Sequence, residues 1–484
     1  MTSIYSARWV LPIVSTPIEN GALAIAGPKI IAVGPASEIA SRFPSARVND
    51  FGEAAILPGL VNAHSHLELT AMRSFLEGDD HDFFTWLRKL TVARMAMTAE
   101  DLFLSATCGA IEAARAGITC VGDSSSEAAE SVRALREIGL RAIVYQESFG
   151  PDPKFAGENV IRLRDKLGAV RKLENEIVRA GVSPHAPYTV SGPQLELMSR
   201  MAIDERLPVM MHAAESKAER EFMLEGTGAF AEGLLRRGID WQSPGVSTIQ
   251  YLADCGVLET KPLLAHCINV DDSDIELIKK YDAAIAHCPK SNAKLGHGRA
   301  PFARFIDAGV KVGFGSDSVA SNNNCDILEE ARFATLLARV SEALPSGRAT
   351  KTSIRQESTA EPRENLVSSD ALTDGRASDM ITARDALFAA TLGGARALGL
   401  DNQIGALSQG MQADLIAVDL SGAHQQPLRD PADALIFSSS GRDVRLTMVA
   451  GKEVYRDGSV NAADEDQLRS GLDMVRTKLD SAIS

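Results

Sequence analysis

The sequence has no apolar run near the ~20 residues that a bilayer-spanning helix needs, so no membrane partner is expected. It also lacks a dense run of Lys or Arg, and its formal net charge of -14 argues against nucleic acid. Cysteine is scarce: Cys108, Cys120, Cys255, Cys267, Cys288 and Cys325 are scattered and form no C-x-x-C pair. That usage excludes a stapled secreted scaffold and fits reduced thiols in the cytoplasm. The first residues, MTSIYSARWVLPIV, lack the basic start, long apolar core and cleavage site of a secretion signal. What remains is a chain of 484 residues, 45% hydrophobic and 24% charged, which can bury a large core and suits a small-molecule substrate.

Short β-type runs broken by turn residues fill the start: WVLPIV, GALAIAG, KIIAVG and AAILPG. Similar runs return near the end as ADLIAVDL (413–420), ALIFSSS from Ala434, and RLTMVAGKEVYRDG (445–458). Neither flank alone makes a well-buried unit, so residues 1–57 and 401–484 are expected to combine as one composite β-sandwich with a terminal helix from about Ala463. Between them, over 58–400, eight buried-strand runs alternate with helical patterns: LVNAHSH, GITCVGD, LRAIVYQE, IVRAGVSPH, LPVMMHAAE, PLLAHCI, AAIAHCP and KVGFGSD. Eight such units give an α/β chain with a closed (β/α)8 barrel. An open doubly wound sheet is the alternative, but no G-x-G-x-x-G turn follows any of the strands. Residues from about 345 to 380 are polar and aperiodic and read as a long surface insertion.

The histidines carry the sharpest chemical signal. His64, His66, His185, His212, His266 and His287 fall at or just after strand ends, where a barrel builds its active site. His64 and His66 are two apart, and the strand period sends both imidazoles to one face. His212 after LPVMM and Asp317 after VGFGS add a third imidazole and a carboxylate, a set suited to a divalent first-row metal. Asp317 follows the eighth strand, which neighbours the first in a closed barrel. Glu215 in HAAES has the position of a general acid/base, and His266 in LLAHC can stabilise charge developing on attack. Taken singly, each has a plainer reading as a cap, a surface glutamate or a satisfied core histidine.

The ordered motifs PGLVNAHSHLEL, SPHAPYTVS, HAAES, AHC, HCPKSN and GSDSVASNN resemble the amidohydrolase superfamily. Within it they are most similar to the cytosine deaminase-like and S-adenosylhomocysteine/methylthioadenosine deaminase-like branch, and the resemblance covers nearly the whole chain. It implies a mononuclear site in which His64, His66, His212 and Asp317 hold one metal ion, zinc first, with iron or manganese as alternatives. The fourth strand region, VRAGVSPHAP, lacks the lysine of binuclear relatives. The resemblance further implies that Asp317 takes a proton from water, that Glu215 protonates a ring nitrogen and that His266 stabilises the intermediate. His185 and Trp86 are its candidates for substrate contact, although packing competes for Trp86; His287 and Asn292 belong to a family motif without an assigned role. The expected activity is deamination of an aminated heterocycle, an adenine-type nucleoside before others, by a homodimer. The LEL variant after the first histidine pair also looks like aminodeoxyfutalosine-type deaminases. Release of chloride or an alkylamine from a triazine-like ring is the alternative, and a non-enzymatic scaffold the remote one.

Overall fold

The computed structural model describes residues 2–79, 82–342, 380–462 and 465–483. His81 and almost all of the expected 345–380 insertion lie outside the described residues.

All eight strand runs of the middle region form strands: Leu60–Ser65, Ile118–Ser125, Arg141–Ser148, Val178–Pro184, Met210–Ala213, Leu263–His266, Ala284–His287 and Lys311–Phe314. They read as near-continuous apolar runs because parallel strands covered by helices are buried on both faces. Strands one to four pair in parallel, as do strands five to eight. Parallel bridges Val182↔Val209 and Ser65↔Asp317 join the two sets, so the barrel closes. At the second seam the Asp317 N–H donates to the His64 carbonyl at 2.9 Å. Glycine makes that approach possible: a Cβ on Gly315 would lie 2.9 Å from the His64 Cβ. Inside the barrel, small residues such as Ala63, Ala265, Ala284 and Ala286 pack with Ile143, Tyr145 and Met210, and Leu398, Leu400 and Ile404 pack into the same cluster.

The helices begin and end on local chemistry. Thr98 and Asp101 form a reciprocal capping box ahead of Ala99–Arg115. Ala128–Ile138 stops at Gly139 in the left-handed conformation, which hands the chain to strand three. The terminal helix Glu465–Ile483 places Val475 and Leu479 against Trp86, Leu76 and Ala93, bracing the segment after strand one.

Strands from the two chain ends form one nine-stranded sheet, in which Ala54–Pro58 pairs with both Thr2–Val10 and Leu415–Asp419. One sheet face buries Tyr5, Leu23, Ile30, Ile56, Leu415 and Met448 in a single cluster to which, among the described residues, no helix contributes, so the sheet folds over itself. Alternate residues Ala55, Leu57, Ile416 and Val418 point the other way, into the core shared with the barrel helices. One expected strand is corrected: Ala434–Ser438, the start of ALIFSSS, is a single π-helical turn. It continues the helical turn Pro431–Asp433, which Asp430 caps by accepting from the Ala432 N–H at 2.7 Å, with Pro431 at the first helical position. This Asp-Pro start signal outweighs the β preference of Leu-Ile-Phe.

Candidate metal centre and active-site pocket

The strand ends bring His64, His66, His212, His266 and Asp317 to one point. His66 Nε2 lies 3.2 Å from His212 Nε2 and 3.6 Å from Asp317 Oδ1. His64 Nε2 lies 3.4 Å from the same Asp317 oxygen. His64, His66 and Asp317, and likewise His64, His212 and His266, can each offer ligand atoms within 4.8 Å of one another. Ser291 and Ser321 both donate to Asp317 Oδ2, leaving Oδ1 turned toward the imidazoles.

Several backbone positions at the site are left-handed without being glycine. Ala214, His266, Cys267 and Asp317 all have positive φ, at 52°, 74°, 46° and 56°. Left-handed non-glycine residues persist where surrounding structure holds them, and they cluster at functional sites. At Ala214 the holding group is Glu219, fully buried on the helix Lys217–Glu225. Its carboxylate accepts from the N–H groups of Ala214 and Glu215 at 2.8 and 2.9 Å and from the Thr248 hydroxyl at 2.8 Å. Burial pushes the Glu219 carboxyl up to about 7.

The donor set fits a divalent ion. His212 Nδ1 is 2.8 Å from the His185 carbonyl, which only accepts; Nδ1 therefore carries the proton and Nε2 presents a lone pair. Both His64 ring nitrogens are buried without a hydrogen-bond partner among the described residues. Burial holds His66 down to about 4 and, with neighbouring imidazoles, His212 well below its ordinary range, so both rings are in the neutral, ligating form. Asp317 is held well below the usual carboxylate range because His64, His266 and His66 outweigh the burial that opposes it. Four ligands about 2.1 Å from a tetrahedral ion stand ~3.4 Å apart, close to the separations found here.

Glu215 lies beside this cluster, with Oε1 3.7 Å from His266 Nε2 and 3.6 Å from His297 Nε2. His266 Nδ1 is 2.9 Å from Asn292 Oδ1, which gives Asn292 an orienting contact. Although burial opposes it, the Glu215 and Asp317 carboxylates raise the proton affinity of His266. His185 reaches the Thr189 hydroxyl at 2.9 Å through Nδ1, and its ring stands 4.7 Å from both His212 and Phe149. Trp86, on the helix Phe83–Met95, belongs to an apolar cluster and also lines the pocket. His287 stacks on Phe302 at 5.4 Å, and it does not join the groups of possible ligands.

Above the centre lies a cavity of about 380 Å³ lined by His66, Glu68, Phe83, Trp86, Ser126, Glu147, Phe149, His185, Tyr188, Glu215, His266 and Asp317, among others. Glu68, Glu147, Tyr188 and His297 were not singled out from the sequence. For Glu147 a signal was nevertheless available, because the run LRAIVYQE ends in an acid at the mouth of a barrel strand. Burial and then the nearby Glu68 carboxylate push Glu147 up to about 8.

An amidohydrolase family model matches residues 55–356 and 358–454. The 5-methylthioadenosine/S-adenosylhomocysteine deaminase of Syntrophobacter fumaroxidans is 31% identical over 453 residues, 93% of this chain and 91% of its own. The protein of that name from Bacillus cereus is 31% identical over 459 residues, 93% of each chain. A zinc-bound adenosine deaminase from Xanthomonas campestris has a similar structure, with TM-score 0.82 and 27% identity over 99% of this chain and 98% of its own. Atrazine chlorohydrolase from Arthrobacter aurescens, complexed with zinc, shares the fold at TM-score 0.78 and 22% identity over 98% of this chain and 99% of its own.

Proposed function

The chain belongs to the amidohydrolase family and is a hydrolase of carbon–nitrogen bonds, and from that premise we propose that it deaminates an adenine-type nucleoside or a close relative. The carrying observation is the convergence of His64, His66, His212 and Asp317 on one point, with Glu215 and His266 adjacent. In this reading those first four residues hold one divalent ion. A mixed imidazole and carboxylate set favours zinc, and two related structures contain it. A divalent ion bound there supplies Lewis acidity that lowers the pKa of water to about 7, so that hydroxide is available at neutral pH.

The side chains handle the protons. Asp317 accepts the proton of the attacking water, whose oxygen bonds to the ring carbon bearing the amino group. Glu215 delivers a proton to the adjacent ring nitrogen, which takes the electron pair of the C=N bond. A protonated His266 donates from Nε2 to the oxygen as charge develops, while Asn292 keeps the ring oriented. The proton held by Asp317 then passes to the amine, which leaves as ammonia with the C–N electron pair, and the hydroxyl on the ring carbon returns its proton to Glu215 as that carbon becomes a carbonyl. His185 and Trp86 contact the substrate's remaining surface.

Residues 58–400 act in this proposal as the catalytic barrel, and 1–57 with 401–484 as its supporting unit. Six free thiols support a reducing, cytoplasmic setting, and a homodimer follows from the family resemblance, to be checked by sedimentation equilibrium. The functional test is ammonia release from metal-quantified protein against aminopurine nucleosides, pterins, cytosine and substituted triazines. Release from an adenine-type compound, suppressed in Glu215→Gln, is the expected result. Release of chloride or an alkylamine without ammonia would remove the deaminase reading.

A further inference from the structure

Deamination and the substrate contacts of His185 and Trp86 use groups at the ends of strands one, four, five, six and eight and on the helix Phe83–Met95, and leave the wall built by strands two and three without a role. That wall includes Ser126, Glu147 and Phe149. Glu147, the penultimate residue of strand three, is only 8% exposed. Its Oε2 accepts from the Ser126 hydroxyl at 3.1 Å. Its Oε1 is buried with no hydrogen-bond partner among the described residues, and stands 3.9 Å from His66 Nδ1.

The neighbouring Glu68 shows what a structurally satisfied acid looks like here. Its oxygens accept from the N–H groups of Ser126 and Glu127 at 3.0 and 3.2 Å, with Arg94 Nε at 3.4 Å. Leaving a buried acceptor unmade is costly, so an open oxygen on a cavity wall marks a place for a donor from outside the chain. The Ser126 hydroxyl, already donating to Glu147, keeps lone pairs free beside that oxygen. One open acceptor next to a second acceptor matches a pair of neighbouring hydroxyls, and the cavity of about 380 Å³ leaves room beyond a single bicyclic base.

Resting on the deaminase reading above, we propose that Glu147, supported by Ser126, is a specificity-determining residue. It accepts a hydrogen bond from a sugar hydroxyl and so selects a nucleoside over the free base. The competing role is metal ligation, since His66, Glu147 and His212 also offer ligand atoms within 4.8 Å of one another.

The test measures dissociation constants by calorimetry on the zinc-loaded full chain carrying Glu215→Gln, which binds without turnover. The ligands are 5′-methylthioadenosine, its 2′,3′-dideoxy counterpart and adenine. Adding Glu147→Ala is expected to weaken the diol-bearing nucleoside by about 10–100-fold, to leave the dideoxy compound within about threefold, and to keep the metal content unchanged. Glu147→Gln, which preserves volume and an acceptor oxygen, is expected to give a smaller loss of the same selectivity. Equal losses for both nucleosides, or lost metal in either variant, would overturn the proposal. If adenine-type compounds bind but show no coupling to Glu147, this inference alone fails; if none binds, the deaminase reading fails and takes it along.

Discussion

Two buried polar clusters at opposite ends of the barrel treat their charges differently. At the closed end, Arg141 opens strand three and meets Asp414 through Nε and Nη2 at 2.7 and 3.0 Å, and Asp414 Oδ1 also accepts from the Ala450 N–H at 2.8 Å. Each charge is satisfied, and the pair ties the barrel to the strand Leu415–Asp419 of the composite sheet. At the open end, His64 Nε2, His266 Nε2, His297 Nε2 and Glu147 Oε1 are buried without hydrogen-bond partners among the described residues. The same low-dielectric surroundings stabilise the first cluster and leave the second poised for ligands. Satisfied burial marks architecture; unsatisfied burial combined with left-handed backbone marks chemistry.

Substitutions that separate stability from turnover break or sharpen that contrast. The largest effect belongs to Glu215→Gln: steady-state ammonia release should fall by about 10²–10⁴-fold while elemental analysis finds the bound metal unchanged. At the closed end, Arg141→Met leaves Asp414 buried and unpaired, and chemical denaturation should record a loss of about 3–5 kcal/mol with kcat per folded chain preserved. Replacing both partners, Arg141→Met with Asp414→Leu, should recover much of that stability, since two apolar groups leave no charge behind.

A smaller effect is set by pH. Glu330, fully buried, accepts from Asn322 Nδ2 at 2.6 Å and from the Lys290 N–H at 3.2 Å, bracing the segments after strands seven and eight. Burial raises its carboxyl from 4.5 to about 8, so between those values the folded chain holds a proton that the unfolded chain releases. Stability therefore falls as pH rises through that window, by at most about 1.4 kcal/mol per pH unit from this group. Urea denaturation from pH 5 to 8 should show a fall of that sign, and Glu330→Gln should make it shallower, with the buried Glu147 and Glu219 carboxyls, raised to about 8 and about 7, contributing to the remainder. The smallest change is expected at His297, 3.6 Å from Glu215: His297→Asn should lower kcat a few-fold and leave metal content alone.

The barrel was legible because apolar runs with chemically marked ends recur in alternation with helical patterns. Every run from LVNAHSH to KVGFGSD became a strand. ALIFSSS misled because a short apolar run has no period that separates strand from helix, and the deciding signal, Asp430-Pro431, lies before it. Site residues on strand ends could be read from spacing: the i, i+2 histidine pair and Asp317 meet where a closed barrel requires. His297 escaped notice because it reaches Glu215 from a loop, through packing against Phe83 with ring centroids 4.6 Å apart. Glu219 escaped for a related reason: it holds the backbone amides of Ala214 and Glu215, and no residue pattern records such contacts.

The most direct measurement is ammonia release per chain, from an adenine-type nucleoside, as metal-free protein is titrated with zinc. Turnover should rise in proportion to bound ion and level off at one ion per chain. Full activity in the metal-free protein, a plateau at two ions, or a fully loaded chain that releases no ammonia from any adenine-type compound would contradict a single-metal deaminase built on His64, His66, His212 and Asp317.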